Sequence, residues 1–216
     1  MSSIVVSGDT SGSCTLVAPA VAGSSVLTLP VATDTLVGKA TTDVLTNKTL
    51  TSPVINGMAS SILTSGTAQA STSGTSIDFT GIPSWVKRIT VMFNGVSTNG
   101  VSLFLIQIGS GSVVTTGYQS SGSGITSGVG TATSTIGFVI GNATTAAGLH
   151  NGQAILSLLS TNTWVGNGAF YYQGNAQTNL TAGVSPALAG ALDRVRITTT
   201  NGTDTFDAGS INIMYE

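Results

Sequence analysis

The apolar residues of this chain follow different patterns along its length, and the changes in pattern divide it into three parts. Residues 66–216 read as β-strands. In "RITVMF", Ile89, Val91 and Phe93 share one face, and in "SINIMYE" so do Ile211, Ile213 and Tyr215. This is the two-residue period of a half-buried strand. "SLFLIQIG" is apolar on both faces, as expected of a central strand covered on each side. "STIGFVIG", "QAILSLLS", "GAFYYQG" and "DRVRITTT" continue the series. Asn94–Gly95, Asn99–Gly100, Asn151–Gly152 and Asn201–Gly202 punctuate it, and Asn–Gly supplies the positive φ angles of tight hairpin turns. "SSGSGITSGVGTATST", from Ser120 to Thr135, reads as a Gly/Ser loop. The predicted fold is all-β: an extended N-terminal arm and stem followed by an antiparallel β-sandwich, jelly-roll-like. A part of about 150 residues buries roughly 70% of its unfolded surface and can fold alone.

Residues 1–38 contain short apolar pieces around Ile4, Val6, Leu16, Val26, Leu27 and Leu29, broken by Pro19 and Pro30. Proline cannot donate to a sheet ladder, so short extended segments are expected rather than central strands. Residues 39–65 are a neutral, Thr-rich stretch with Leu45, Leu50, Val54 and Ile55 as its apolar positions. The five-residue step from Leu45 to Leu50 to Ile55 fits neither helix nor strand. The flanking Gly, Ser, Thr and Ala offer nothing to bury these side chains against. Several identical chains wrapped together would bury them, each Leu contributing roughly 1.5–3 kcal/mol.

Composition narrows the partners. Charged residues make up 6% of the 216 residues, against a usual share of about 25%. The surface must therefore be covered by hydroxyls and amides, which suits a part built once into a lasting assembly better than a freely diffusing protein. The chain has six Lys and Arg and a net charge of −2. Nucleic-acid binding needs clustered cations, and the close pairs here are Lys87–Arg88 and Arg194/Arg196. The second pair shares a strand face, which suits a solvated face better than an anion site. No nucleic-acid partner is expected. Cys14 is the single cysteine, which leaves no internal disulfide and no CxxC site. The N-terminus does not read as a secretion signal, and no stretch approaches the ~20 apolar residues of a membrane span. Synthesis in a cytoplasm without membrane insertion is the expectation.

Candidate chemistry is sparse. His150 is the sole histidine, in "AGLHNGQ", and reads as a hydrogen-bonded turn residue rather than a general base. Asp204 and Asp207 lie three apart after an Asn–Gly turn, where Asp commonly caps, so paired catalytic carboxylates are not expected. The Gly-rich pieces lack the following Lys and helix of a phosphate loop. No catalytic residue, metal or cofactor is anticipated. Among the aromatics, Trp164 and Tyr172 are candidate glycan contacts, with a core or subunit-interface role as the alternative. Trp85 reads as a plug at one end of the sandwich.

"SGDTSGSCTLVAPAVAGSSVLTLPVATDTLVG" followed by "LTNKTLTSPVING" resembles the N-terminal half of many tailed-bacteriophage fibre and virion structural proteins. "IDFTGIPSWVKRITVMFNGVSTNG" with the ending "TFDAGSINIMYE" resembles a β-domain that recurs at the C-terminal end of such proteins. The resemblance implies a homotrimer in the virion, assembled in the bacterial host cytoplasm. Residues 1–38 would attach it to other head or tail proteins, residues 39–65 would form a trimeric stem, and residues 66–216 would face outward, with a host-surface glycan as a candidate ligand. The chain lacks the long shaft of the family's usual form. The alternatives are a capsid decoration or cement protein and a carbohydrate-binding module.

Overall fold

The computed structural model describes residues 3–7, 10–17, 21, 49, 63–126 and 128–216. The chain divides into two compact units, Met1–Val54 and Ile55–Glu216.

In the first unit, β1 (Ser3–Ser7) and β2 (Ser13–Val17) form an antiparallel hairpin. The register sets Ile4 opposite Leu16 and Val6 opposite Cys14, with Val5 opposite Thr15 between them. Pairs directly opposite share a face, so Ile4 and Val6 occupy one face and Val5 the other. Ile4, Val5, Val6 and Val17 are 66%, 57%, 59% and 55% exposed. An isolated two-stranded hairpin is marginal in water. Of the arm residues, Ile4, Val6 and Leu16 therefore lie in this hairpin. Val26, Leu27 and Leu29 lie outside the described residues, as do Leu45, Leu50, Val54 and Ile55 of the expected stem.

The second unit is a sandwich of two antiparallel sheets. Its strands, in chain order, are β3 (Thr64–Ser65), β4 (Gln69–Ala70), β5 (Ile77–Thr80), β6 (Arg88–Thr98), β7 (Phe104–Ser110), β8 (Ser112–Val113) and β9 (Gln119–Ile125). There follow β10 (Val129–Ser134), β11 (Phe138–Val139), β12 (His150–Ser160), β13 (Thr163–Tyr172), β14 (Gln177–Val184), β15 (Arg194–Thr199) and β16 (Phe206–Tyr215). The long sheet runs β10-β9-β14-β13-β12-β6-β16-β3, with β4 also on β16, and the short sheet runs β11-β7-β15-β5, with β8 on β7. No α-helix occurs among the described residues. Pairing begins at Thr64, two residues before the expected start of the sandwich, because β3 is already hydrogen-bonded to β16.

The alternation read from sequence orients the strands as expected. Ile89, Val91, Phe93, Ile211 and Ile213 point inward from the long sheet and meet Ile106, Ile108, Val195 and Ile197 from the short one. Phe93 bridges Phe104 and Phe170, with ring centroids 5.8 and 5.0 Å apart, and Phe206 stacks on Phe104 at 5.9 Å. Such pairs add roughly 0.5–1.5 kcal/mol each beyond their burial. β7 is buried from Phe104 to Gly109. Its outer face is covered where Gln107 Nε2 donates to the Ile136 carbonyl at 2.8 Å.

Two local expectations are corrected. The stretch from Ser120 to Thr135 is no open loop: most of it forms the β9–β10 hairpin at the edge of the long sheet. The glycines of β9 are there for space. A Cβ on Gly122 would sit 2.2 Å from the Gly141 carbonyl oxygen, so only glycine lets the 138–141 segment lie flat on the sheet's inner face. Asn94–Gly95 and Asn151–Gly152 are also not hairpin turns. They lie inside β6 and β12, where the register between these strands shifts between His150 and Gly152. Gly95 takes a φ of +62° there, and its N–H donates to Asn151 Oδ1 at 2.8 Å. Positive φ serves a bulge here instead of a turn. Asn99–Gly100 and Asn201–Gly202 do sit between strands.

Candidate interaction surfaces

The ionisable groups sort first, since they decide whether chemistry is possible. His150 opens β12 and is 1% exposed. Its ring stacks on Tyr172 at 4.6 Å and meets the edge of Phe104 at 4.9 Å. Gln177 Nε2 donates to Asn179 Oδ1, Asn179 Nδ2 donates to His150 Nε2 at 3.0 Å, and His150 Nδ1 donates to the Gly148 carbonyl at 3.2 Å. This chain of donors fixes a neutral imidazole. Desolvation lowers its pKa to about 4, with the backbone of Gly148 and Val96 acting in the opposite sense. A ring sealed between sheets with both nitrogens engaged holds the fold together, and it has no route to a substrate.

Asp204 and Asp207 have separate duties. Asp204 accepts from Asn201 Nδ2 and from the Ser102 N–H at 2.9 Å, pinning the 201–204 turn to the 99–102 loop. These hydrogen bonds, the one from Asn201 foremost, hold its pKa below the usual carboxylate value. Asp207 accepts from the buried Ser97 hydroxyl. The two arginines of β15 are each matched by a carboxylate: Arg194 to Asp193 at 2.8 Å, and Arg196 to Asp78 by two bonds of 2.7 and 2.8 Å. Neither is a free cation awaiting phosphate. Among the described residues, no group of three or more His, Cys, Asp or Glu is placed to hold a metal ion, and no helix is long and apolar enough to cross a membrane.

The aromatic candidates are rearranged. Trp164 and Tyr172 are each 1% exposed, so neither can stack on a sugar as the protein stands. Inside a strand, adjacent residues face opposite ways. Tyr172 points in, against His150, with its hydroxyl 2.7 Å from Thr145 Oγ1, and Tyr171 points out at 52% exposure. Trp164 points into the core because β13 alternates Trp164, Gly166, Phe170 and Tyr172 inward. Trp85 is 40% exposed and packs on Tyr215 at 5.9 Å, consistent with a plug at one end. Shallow grooves exist on the short sheet. One of about 290 Å³ runs over Leu105, Gln107, Arg196 and Thr198.

The largest feature is one the sequence reading did not single out, the outer face of the long sheet. The registers of its strands set Met92, Gln153, Ala169, Leu180 and Ser123 in one row. The next row holds Thr90, Ile155, Asn167, Ala182 and Ser121. Tyr171, Thr178 and Ile125 form a third. Across β6, β9, β10, β12, β13, β14 and β16 only Arg88 and Asp207 carry charge. Arg88 lies at a strand end, paired with Glu216, and Asp207 lies beside the Phe206 end of β16, bound to Ser97. The signal was present in sequence: "QAILSLLS" offers apolar residues to both faces, where a solvated sheet would offer them to one.

No family model matches this chain, and no curated protein or solved structure matches it either.

Proposed function

We propose that this chain is a non-enzymatic structural protein of a tailed-bacteriophage virion: a short trimeric fibre, attached to the particle by its N-terminal arm and displaying the sandwich outward for host adsorption. The observation that carries the reading is the β1–β2 hairpin. Its Ile4, Val5, Val6 and Val17 are more than half exposed, and a two-stranded hairpin with apolar side chains this exposed needs a partner surface to persist. The rest of the support is the phrase-level resemblance of residues 7–38 and 45–57 to virion proteins and the scarcity of charge. Leu45, Leu50, Val54 and Ile55, outside the described residues, are the positions this reading assigns to the seam of the stem.

The test is the solution mass of full-length protein by light scattering, with and without Leu45→Asp and Leu50→Asp. The wild type should be a trimer, and the double variant a monomer whose sandwich still melts cooperatively. Trimers that survive both substitutions would remove the stem from this account. The hairpin also favours a second reading, a capsid decoration protein. Apolar residues on both of its faces, Ile4 and Val6 on one and Val5 on the other, suit a hairpin clasped between two shell subunits. Copy number separates the two: tens per particle for a fibre, hundreds for a cement protein.

A further inference from the structure

We infer that the outer face of the long sheet is a self-association surface, occupied by the same face of further copies of this chain. The inference deepens the homotrimer reading by giving the sandwich its own interface. It rests on that reading only for the number of copies. Three observations converge.

The first is charge. The chain has 14 charged residues, six basic and eight acidic, yet none lies in the rows through Met92, Ile155 and Leu180. A face exposed for life in water ordinarily mixes charges of both signs. An uncharged face meets a copy of itself without desolvating any charge, which is the expensive part of burying a polar surface.

The second is area. Strands lie about 4.8 Å apart and rise about 3.3 Å per residue. From β10 to β16 the sheet has seven strands, so the face measures about 30 Å by 25 Å. That is on the order of 800 Å², the amount each partner contributes to a standard stable interface.

The third is texture. Ile155, Leu180, Met92 and Val165 are only partly exposed, yet Gln153, Asn167 and Ala169 beside them on the same face are exposed, so among the described residues this face is open. Broad and studded with short amides and hydroxyls, the face can hydrogen-bond across an interface as well as pack. A glycan would need a groove of its own size, and the grooves lined by Phe79, Gln107 and Leu149 among the described residues lie elsewhere.

The experiment uses the full chain. Ile155→Lys with Leu180→Lys puts two cations at the centre of the face, and Ser112→Lys on the short sheet is the control. By sedimentation across a 1,000-fold range of concentration, the double variant should dissociate at least ~100-fold more readily than the wild type, and the control should not. A second measurement covers the chance that the double variant misfolds. In a Cys14→Ser background, Ala169→Cys should react with a maleimide about tenfold more slowly at associating than at dissociating concentrations. A wild-type mass unchanged by the two lysines, or a labelling rate independent of concentration, overturns the inference while leaving a stem-held trimer intact. A wild-type monomer at every concentration overturns both.

Discussion

Folding should make this protein acid-sensitive through His150. His150 is buried, neutral and hydrogen-bonded at both ring nitrogens, and burial lowers its pKa to about 4 from an ordinary 6.5. The sign follows from which state binds the proton. Above pH 6.5 neither the folded nor the unfolded chain protonates the ring, and His150 exerts no pH-dependent effect. Between 6.5 and 4 the unfolded chain takes up a proton that the folded one refuses, so stability falls as pH falls. Below 4 the loss is complete. The gap between an ordinary 6.5 and about 4 gives a ceiling of about 3 kcal/mol, of which about 2 kcal/mol is lost between pH 7.5 and pH 5. Against a typical total of 5–15 kcal/mol, that is a substantial fraction.

The assay is urea unfolding followed by tryptophan fluorescence at fixed protein concentration, from pH 7.5 to 4.5. Buried Trp164 reports on the core. The comparison is with His150→Gln, which keeps a hydrogen-bonding amide in the site but does not titrate. Aspartates titrate in both proteins, so their effect cancels in the difference. The wild type should lose about 2 kcal/mol more than the variant between pH 7.5 and pH 5. Parallel stability curves would refute the reasoning, as would a His150 ring resonance in the folded protein that titrates near 6.5.

Two other substitutions probe the packing. Gly122→Ala places a methyl group where the Gly141 carbonyl already stands; it should destabilise the sandwich by about 1–3 kcal/mol, read as a lower melting temperature, although alanine is the better strand former. Trp164→Ala should lower stability by about 3–5 kcal/mol. If the sandwich does bind a host glycan, Tyr171→Ala should weaken that binding in a glycan-array or cell-adsorption assay and leave the melting temperature nearly unchanged, and binding that survives the substitution would remove Tyr171 as a contact.

Strand identity was largely legible in this sequence because two-residue alternation is a local signal. "RITVMF" and "SINIMYE" needed no partner to reveal which face they bury. Strand order was not legible, since nothing in β14 announces that it pairs with β9, where Val184 lies opposite Gln119, 65 residues earlier. The sequence also misleads where one chemical property has two uses. Asn–Gly supplies positive φ both for hairpin turns and for bulges, and Asn94–Gly95 and Asn151–Gly152 serve the second use. Gly and Ser signal mobility in a loop but permit close backbone approach in a sheet, and Gly122 does the latter. Tyr171 and Tyr172 show the limit of alternation: it says that one points out, and only the pairing of Tyr172 with His150 decides which.

The buried polar residues and the uncharged outer face fit one account of how such a sheet is made specific. A broad antiparallel sheet takes its register from its buried face, because a slip of one residue would exchange the apolar inner face for the more polar outer one. The inner face resists that slip. Moving β12 or β14 by one position would turn His150 and Asn179 outward and leave Gln177, Gly148 and the Phe104 ring without their partners. An unsatisfied buried polar group costs about 1–3 kcal/mol, so the His150 network penalises misregister more strongly than an all-apolar core of the same size. The outer face is then free to remain uncharged, as an association surface requires. On this argument the acid sensitivity of His150 and the capacity for self-association are linked: protonating the ring loosens the register on which the outer rows depend.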